Sequence, residues 1–365
     1  MLKSIHRHTV RRSLAISTAL AGGCLIAVAA GAQTLPVPGD AVTKGLTPGG
    51  LTPVITPSGT TLNVDLRAVG TVIDWNGFNV PGGSTIAFND SRQIKLVPNI
   101  AVLNRDVSGL SSQINGSITS DPNVAVWIYN SHGILIGNGA RIDTGSLVLT
   151  TLNPDQNDFL SGNNYSLTGA DDLTAGITIE GNTRITVAGG NRGLILVAPK
   201  IESNGTLTAT GQDVAFVTAT DVTLNYNLGS PLSVVLNKGT SVPAASQIVR
   251  GTVSGKDVTF ALASRDSVLD ALLSVEATVT TATSSDRGIV LIAGKPANNV
   301  AGVSIGGTAA QTGGNAGIAV SGTLTSAGSD TDIIAAGNGA ISLTRALRAG
   351  RDVLVDAGGL ASVTN

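Results

Sequence analysis

Short apolar clusters recur along the chain with a spacing of two residues, and turn-forming residues separate them. The stretch from Asn104 to Thr151 shows this most clearly, because Ile, Val and Leu alternate with polar residues between the segments NG, NSHG, GNG and TG. A spacing of two places side chains on one face of a strand, and Gly, Asn and Ser favour turns. The pattern predicts short strands that turn too often for a sheet of long hairpins.

The clusters also repeat as larger units. The segments NRGLILVA (Asn191–Ala198), DRGIVLIA (Asp286–Ala293) and GRDVLVDAG (Gly350–Gly358) have the same form, and residues 183–224 repeat themselves at an offset of about 20 residues. A period of this size with two or three short strands matches one coil of a parallel β-helix. We therefore predict an all-β solenoid, with ~14 coils between residues 61 and 365 if every coil has this length.

Two segments depart from the repeat. Residues 33–60 contain five prolines, and a proline-bearing segment can cover the unpaired edge at the start of a strand stack. Residues 153–172, NPDQNDFLSGNNYSLTGADD, are polar and rich in turn formers, and seven of the ten aromatic residues lie between Trp75 and Tyr165. Large rings fill irregular volume. We expect an N-terminal cap and hairpins outside the helical stack.

The first 32 residues have the features of a secretory signal peptide. A basic segment precedes an apolar run, and Ala30-Gly31-Ala32 forms an A-x-A cleavage site before Gln33. Cleavage is therefore predicted between Ala32 and Gln33. Arg11-Arg12 leaves a twin-arginine signal open as an alternative, and Cys24 leaves a lipoprotein signal open.

Composition limits the classes of partner. Charged residues make up 13% of the chain and hydrophobic residues 42%, with 46 glycines, which suits stacked short strands better than a helical bundle. Four of the 22 basic residues and none of the 24 acidic residues lie in the first 32, so the mature chain has a net charge near −6. This predicts no nucleic-acid partner. No long apolar run follows the first 32 residues, which predicts no stable membrane insertion. Cys24 is the single cysteine, so disulfides cannot stabilise the mature protein.

The turn at Asn130 has a local physical explanation. Asn at the first position of a turn accepts a hydrogen bond from the backbone two residues further on, and Gly at the fourth position suits the exit. The segment Asn130-Ser131-His132-Gly133 has both residues. It therefore predicts an asparagine-stabilised turn between two strands.

The segments around this turn resemble the secretion domain of two-partner secretion exoproteins of the filamentous haemagglutinin type. The resemblance rests on Asn104-Arg105, on QINGSI and on VWIYNSHGILIGNGARIDTGSLVLTT. The family reads N-P-N-G where this chain has Asn130-Ser131-His132-Gly133. The other matching positions within the motif are Ile134, Gly137, Gly139-Ala140, Gly145, Leu147 and Thr150-Thr151.

The resemblance implies a right-handed parallel β-helix that is exported unfolded across the periplasm of a Gram-negative bacterium. The partner would be a dedicated outer-membrane barrel transporter, and the product would be secreted or held at the cell surface. It further implies an adhesin-like protein that binds a host or cell-surface glycan or protein. The implied division is residues 1–32 as signal peptide, 33–250 as secretion domain, and 251–365 as continuing coils, with truncation of these repeats left open as an alternative.

Two other function classes stay open as alternatives. A β-helical polysaccharide lyase or hydrolase needs clustered Asp, Arg or Lys, and the nearest candidates are Asp155, Asp158, Asp171, Asp172 and Arg184. A fragment of a contact-dependent toxin carrier is the second alternative. His132 is the one histidine beyond the first 32 residues, and neither a catalytic triad nor zinc spacing accompanies it. We therefore predict no enzymatic activity, no cofactor and no metal.

Overall fold

The computed structural model describes most of the chain beyond residue 51. The described residues are 34–36, 52–93, 97–162, 164–170, 174–189, 192–225, 232–242, 246–265, 271–294, 302–335, 339–345, 347–357 and 361–363. All of them belong to one compact unit, Gln33–Asn365. The predicted signal peptide, with Ala32 and Gln33 at its cleavage site, lies outside the described residues.

Short strands dominate the described residues, as the spacing of apolar residues predicts. The first strands are β1 (Val54–Ser58), β2 (Thr61–Leu66), β3 (Gly70–Trp75), β4 (Thr85–Asp90), β5 (Ile100–Asp106), β6 (Ser112–Ile114), β7 (Ser117–Ser120), β8 (Val124–Tyr129), β9 (Ile134–Ile136), β10 (Arg141–Thr144), β11 (Ser146–Thr150), β12 (Asn153–Pro154), β13 (Asn164–Thr168), β14 (Ile177–Ile179), β15 (Arg184–Ala188), β16 (Leu194–Ala198), β17 (Ile201–Ser203) and β18 (Thr206–Thr210). The later strands are β19 (Val214–Thr218), β20 (Asp221–Asn225), β21 (Ser233–Lys238), β22 (Gln247–Val249), β23 (Thr252–Gly255), β24 (Val258–Leu262), β25 (Ala271–Val275), β26 (Thr278–Thr281), β27 (Ile289–Ala293), β28 (Val303–Ile305), β29 (Ala316–Val320), β30 (Thr323–Ser326), β31 (Thr331–Ala335), β32 (Ile341–Leu343), β33 (Leu347–Ala349), β34 (Val353–Ala357) and β35 (Ala361–Val363). Two short helices are α1 (Gln156–Ser161) and α2 (Ala309–Thr312).

Three long parallel sheets form the stack. Sheet A has the order β3-β5-β8-β11-β16-β19-β24-β27-β31-β34, sheet B β1-β2-β4-β7-β10-β15-β18-β23-β26-β30-β33, and sheet C β6-β9-β14-β17-β22-β25-β29-β32-β35. The chain visits them in the repeated order B, A, C, so each coil after the first contributes one strand to each sheet. The first coil reaches sheet C only at an isolated bridge between Val80 and Ile114. This confirms the predicted all-β parallel β-helix. Crossovers between parallel strands are right-handed in nearly all proteins, which is the expected hand here.

The prediction of ~14 coils is wrong, because the described residues form ten coils that start with a strand of sheet B, from β2 to β33. Coils without an insertion match the predicted length, since Ile185 pairs with Leu207, 22 positions later. Other coils carry excursions, and Ile142 therefore pairs with Ile185, 43 positions later. The strands in these excursions have the same alternating pattern as coil strands, so the estimate based on the sequence period counted them as parts of coils.

Burial differs between the sheets in a way that follows from their surroundings. Strands of sheet B alternate between buried and partly exposed residues, as β2 and β4 show, because one face is in solvent. The central strands of sheet A, such as β16 and β27, are buried at every position. A sheet covered on both faces favours continuous apolar strands, such as LILVA and IVLIA.

A fourth sheet covers the outside of sheet A. This outer sheet has the order β12-β13-β20-β21-β28, and its strands are inserted between a strand of sheet A and the next strand of sheet C. It buries Trp127 of sheet A against Phe159 of α1 and Tyr165 of β13, with ring centroids 5.5 Å and 4.9 Å from that of Trp127. Asp155 caps α1 by accepting bonds from the N–H groups of Asn157 and Asp158. The predicted hairpins outside the stack are confirmed.

The N-terminal cap is also confirmed. Strand β1 pairs antiparallel with β2 at the first edge of sheet B, whereas the following pairs in that sheet are parallel. Pro57 lies in β1, where an edge strand tolerates the missing N–H. Leu35 packs against the interior cluster of the coils. Sheets A, B and C continue on both sides of residues 250 and 251, and the division there stays a prediction.

Candidate functional site

The turn predicted at Asn130 connects β8 of sheet A with β9 of sheet C. We call such a connection the A–C corner of a coil. In the preceding coil this corner is the loop Val107–Ser111 between β5 and β6, and in the following coil it is the excursion that contains α1. The turn therefore lies between a plain loop and the first part of the outer sheet. Bonds to both neighbouring coils flank its end, because Ser112 N–H of β6 donates to Gly133 O at 3.0 Å and Ile134 N–H of β9 donates to Gly176 O at 3.1 Å.

The geometry of the turn agrees with the local prediction. The Oδ1 of Asn130 accepts from the His132 N–H at 2.8 Å, and the Gly133 N–H donates to Asn130 O at 3.1 Å. Gly133 has a φ of 108°, a left-handed conformation that other residues rarely adopt. Ser131 and His132 form the tip, where Ser131 Oγ lies 3.2 Å from His132 Nδ1. His132 is exposed, and Ser131 is partly exposed.

Asn130 is anchored more deeply than its position in a turn suggests. Its side chain is fully buried, and its Nδ2 donates to Leu110 O at 2.7 Å and to Ser112 Oγ at 2.9 Å. A buried amide with all of these groups paired holds one orientation. The asparagine therefore fixes its own turn and the loop of the preceding coil together.

Asn104 and Arg105 lie on opposite faces of β5. Asn104 occupies the interior row of sheet A between Ile73 and Ile128, where it is fully buried. It accepts from Trp75 Nε1 at 3.0 Å and donates through Nδ2 to Trp127 O at 3.0 Å, so it ties three coils together.

Arg105 faces outward and pairs with Asp74, at 2.6 Å from Nε to Oδ1 and 2.9 Å from Nη2 to Oδ2. Both side chains are partly exposed, so the pair stabilises the stack less than a buried pair of the same geometry. The structure places Asn104 near the A–C corners but gives Arg105 no bond to the Asn130 turn among the described contacts.

The remaining predicted motif residues belong to β9 and the turn after it. Ile134 is buried in the coil interior. Gly137 allows close stacking, because a Cβ there would collide with the side chain of Asn115 in the coil before it. Gly139 has a φ of 84°, and the Ala140 N–H closes the turn on Gly137 O at 3.1 Å. These residues shape the coil, and none of them has a described hydrogen bond to the side chain of Asn130.

Asp106 is a central residue that the sequence reading missed. It ends β5, is 5% exposed, and accepts bonds from three groups within two coils: Phe78 N–H, Ser108 N–H and Ser112 Oγ–H. Its place directly after Asn104-Arg105 was the one available signal. Ser112 joins Asp106 to Asn130, so the A–C corners hold a continuous polar group of Asp106, Ser112 and Asn130.

The candidates for polysaccharide cleavage are not brought together where the structure describes them. Asp155 and Asp158 belong to the capped end of α1, and Arg184 lies on sheet B. Asp171 and Asp172 lie outside the described residues. Within the described ranges, no group of three His, Cys, Asp or Glu side chains could hold a metal ion. No described helix is long and apolar enough to cross a membrane.

Comparison with known proteins identifies related sequences and folds. The family profile described as the TPS secretion domain matches residues 42–343. The heme/hemopexin-binding protein of Haemophilus influenzae is 30% identical over 93 residues, which cover 26% of this chain and 10% of that protein.

Two solved structures resemble the fold. The HMW1 secretion domain from Haemophilus influenzae has a TM-score of 0.50 and 18% identity, covering 85% of this chain and 97% of that one. The filamentous hemagglutinin secretion domain has a TM-score of 0.49 and 16% identity, covering 91% and 100%. The first likeness agrees with the β-helix described above.

Proposed function

The chain belongs to the TPS secretion domain family, and from this premise we propose that the Asn130 turn is the element through which the chain is exported. Membership implies secretion through the outer membrane of a Gram-negative bacterium with the help of a partner transporter. The proposal adds residues 1–32 as signal peptide, cleaved after Ala32, and residues 33–250 as the segment that the transporter recognises.

One observation carries the proposal for Asn130. The turn exposes Ser131 and His132 at its tip, while the buried Asn130 anchors it with three side-chain hydrogen bonds to two coils. Since the chain is expected to cross the outer membrane unfolded, these bonds between coils form only as the coils fold outside the cell. The same bonds would fix the first folded coils outside the cell, and each newly buried coil would oppose return through the transporter.

The test is export of the full chain, produced with a transporter that exports the wild type. We expect Asn130→Ala to lower the amount secreted several-fold and the free energy of unfolding by about 2 kcal/mol, since Leu110 O, Ser112 Oγ and His132 N–H lose their partner. Ser131→Pro should keep export, because proline suits the second position of such a turn. Immunoblots of medium and cells measure the ratio.

Gln212 provides a matched control. It is a buried amide at another corner, where it donates to Gly145 O and accepts from Ser146 Oγ and the Gly193 N–H. Gln212→Ala removes as many side-chain bonds as Asn130→Ala, so urea denaturation should show a similar loss of stability. Export should nevertheless stay near the wild-type level. Secretion of Asn130→Ala at the wild-type level would contradict the proposal.

The proposal includes an adhesin-like binding role for the secreted protein, without enzymatic activity. Its support is the outward face of sheet B, which carries two rows of hydroxyl side chains across consecutive coils. The first row contains Thr206, Thr252, Thr278 and Thr323, and the second Thr208, Ser254, Thr280 and Thr325. Such a face offers many hydrogen-bonding groups to a glycan or a protein surface. The same proposal includes retention of the secreted protein at the cell surface and a glycan or a protein as its ligand.

A further inference from the structure

Two arginines lie next to each other on the outward face of sheet B. Arg141 of β10 pairs in register with Arg184 of β15, so the sheet places their backbones about 4.8 Å apart. Both side chains are exposed. Like charges directly opposite each other on neighbouring strands are destabilising. This pair therefore opposes the stacking of its two coils, and its presence needs an explanation other than stability.

A hydrogen bond holds the guanidinium of Arg141 toward the strand that carries Arg184. The Nη1 of Arg141 donates to Asn182 O at 3.1 Å, and Asn182 lies in the turn that leads into β15, two positions before Arg184. Among the described residues, Asn182 is the one non-glycine residue with a positive φ, at 54°. Asparagine is one of the residues that adopt this left-handed conformation. The turn therefore presents a carbonyl that keeps two like charges close together.

No described carboxylate neutralises the two arginines. Asp143 follows Arg141 by two positions on the same face of β10, and Glu180 precedes the turn into β15, where it accepts from the Asn138 N–H at 2.7 Å. Neither forms an ion pair with Arg141 or Arg184 among the described salt bridges. Both positive charges are therefore available to an anion. Two guanidinium groups can hold a carboxylate, sulfate or phosphate group through several charge-assisted hydrogen bonds.

Hydroxyl side chains continue this row along the stack on both sides of the arginines. Ser117 pairs in register with Arg141, and Thr206 pairs with Arg184. No described hydrogen bond of the chain uses either hydroxyl. From β7 to β30, the described outward positions of sheet B carry no aromatic and no large aliphatic side chain. Protein partners are usually bound through such apolar anchors, so this face suits a polymer that is itself rich in hydroxyl groups.

We propose that Arg141 and Arg184 bind the acidic groups of a polysaccharide that lies along the outward face of sheet B. An acidic group lies between the two guanidinium groups, and the sugars beside it bond to the rows of Thr and Ser. The row from Ser117 in β7 to Thr323 in β30 spans about 29 Å at about 4.8 Å per coil. This inference rests on the proposed adhesin-like role, for which it names the class of ligand.

The experiment measures binding of the purified secreted chain to three immobilised polymers with one backbone: dextran sulfate, carboxymethyl dextran and neutral dextran. We expect the wild type to bind both acidic polymers and not neutral dextran. Arg141→Gln/Arg184→Gln should lower the affinity for the acidic polymers about tenfold or more, because the charge-assisted bonds are lost. Its midpoint of urea denaturation should not fall, since the substitutions relieve the repulsion between like charges. Binding of the double variant at the wild-type affinity would overturn the proposal.

Arg345→Gln/Arg348→Gln is the matched control. It removes the same charge from the chain, and both arginines are exposed without a described ion pair, in the coils nearest the end of the stack. Its affinity for the acidic polymers should stay within about a factor of two of wild type, because distant exposed charges are screened by salt. A loss as large as that of Arg141→Gln/Arg184→Gln would show attraction by overall charge and would overturn the assigned site.

Asp143→Asn should change the affinity in the opposite direction. Its carboxylate lies on the same face as the two arginines and repels an anion bound there, so its removal should tighten binding of the acidic polymers. Weaker binding would contradict the proposed position of the acidic group. Immobilised polyglutamate tests a protein-like ligand, and binding to it as tight as to carboxymethyl dextran would overturn the assignment to a polysaccharide.

Attachment to cells is measured separately, so that this inference and the proposed function can fail independently. A wild-type chain that binds the acidic polymers through the two arginines but attaches to no cells would reject the adhesin-like role and retain the binding site. A chain that attaches to cells but binds neither acidic polymer would retain that role and overturn the site.

Discussion

Sheets A and B pass through the same coils, yet they meet different surroundings. The outward row of sheet A contains Trp127, Val148 and Ile195, all fully buried under the outer sheet. The outward row of sheet B contains Thr119, Asp143 and Thr186 at the same levels, facing solvent. The backbone hydrogen bonds of the two sheets are alike, so the difference in burial comes from the segments inserted at the corners. Insertions at the A–C corner fold back over sheet A and leave sheet B bare.

This comparison explains two kinds of strand in one solenoid. A coil strand needs apolar side chains at alternate positions to fill the interior. A strand that is also covered from outside needs them at every position. The sequence of a strand therefore reports whether another layer lies on it, as VAFVT of β19 and TLTAT of β18 show in a single coil.

The largest effect expected from this comparison is that of Trp127→Ala. The indole packs against Phe159 and Tyr165 of the outer layer, and its removal should lower the free energy of unfolding by about 4 kcal/mol. Thr119→Ala, on the outward face of sheet B in the same coil, should change it by about 0.5 kcal/mol or less. Urea denaturation followed by circular dichroism measures both. Equal losses would show that the outer sheet contributes little to stability.

The sequence predicted features that depend on neighbours along the chain. The strand LILVA and the turn at Asn130 were predicted because their apolar spacing and their turn chemistry are local. The number of coils could not be predicted, because β20 and β21 alternate as coil strands do and only their pairing places them outside. The roles of Asn104 and Asp106 were also beyond a sequence reading, since their partners Trp75 and Phe78 lie 29 and 28 positions away.

The next comparison concerns two aspartates at the connection from sheet B to sheet A. Asp90 is the last residue of β4 and pairs with Arg92, at 2.8 Å in each of two bonds. The Arg92 side chain holds the pKa of the Asp90 carboxyl well below its usual range. Asp213 lies before β19 and accepts from the N–H of Leu232, which immediately precedes β21 of the outer sheet. Burial raises the pKa of Asp213, and the nearby Asp257 adds to the rise.

The two shifts predict opposite dependence of stability on pH. The contribution of Asp90 is present above its unfolded pKa of about 3.9 and is lost as the pH falls further toward its folded pKa. Asp90→Asn should therefore cost about 3 kcal/mol at pH 7, because Arg92 loses its charged partner, and the gap to wild type should narrow below about pH 4.

Asp213 has the reverse sign, because its folded form binds the proton more tightly than its unfolded form. Its contribution to stability therefore increases as the pH falls through its raised folded pKa toward the unfolded value. Asp213→Asn should be at least as stable as wild type at pH 7, and this advantage should disappear on acidification. Unfolding free energies measured in urea across this pH range test both variants. If both Asn variants were less stable than wild type at pH 7, or both more stable, the causes given for the two pKa shifts would be wrong.

The smallest effect is expected where the outer sheet ends. One outward row of sheet A runs from Trp127 through Ile195 and Val290 to Leu354 in β34, and its exposure changes from none at the first three to 48% at Leu354. Ile195→Ala should cost about 3 kcal/mol, since it leaves a cavity under the outer sheet. Leu354→Ala should cost less than about 1 kcal/mol, because half of the side chain is already in water.

Comparing these two variants separates the stability that the outer sheet adds from the stability of the coil itself. Ile195 and Leu354 occupy equivalent positions in the same sheet, so they share backbone pairing and differ in what lies above them. Acidic residues also enter the outward face here, at Asp332 of β31 and Asp356 of β34, where a covered sheet would have to bury them. A cost for Leu354→Ala as large as that for Ile195→Ala would place a covering layer on β34 as well, and the purified variants can be compared in one urea titration.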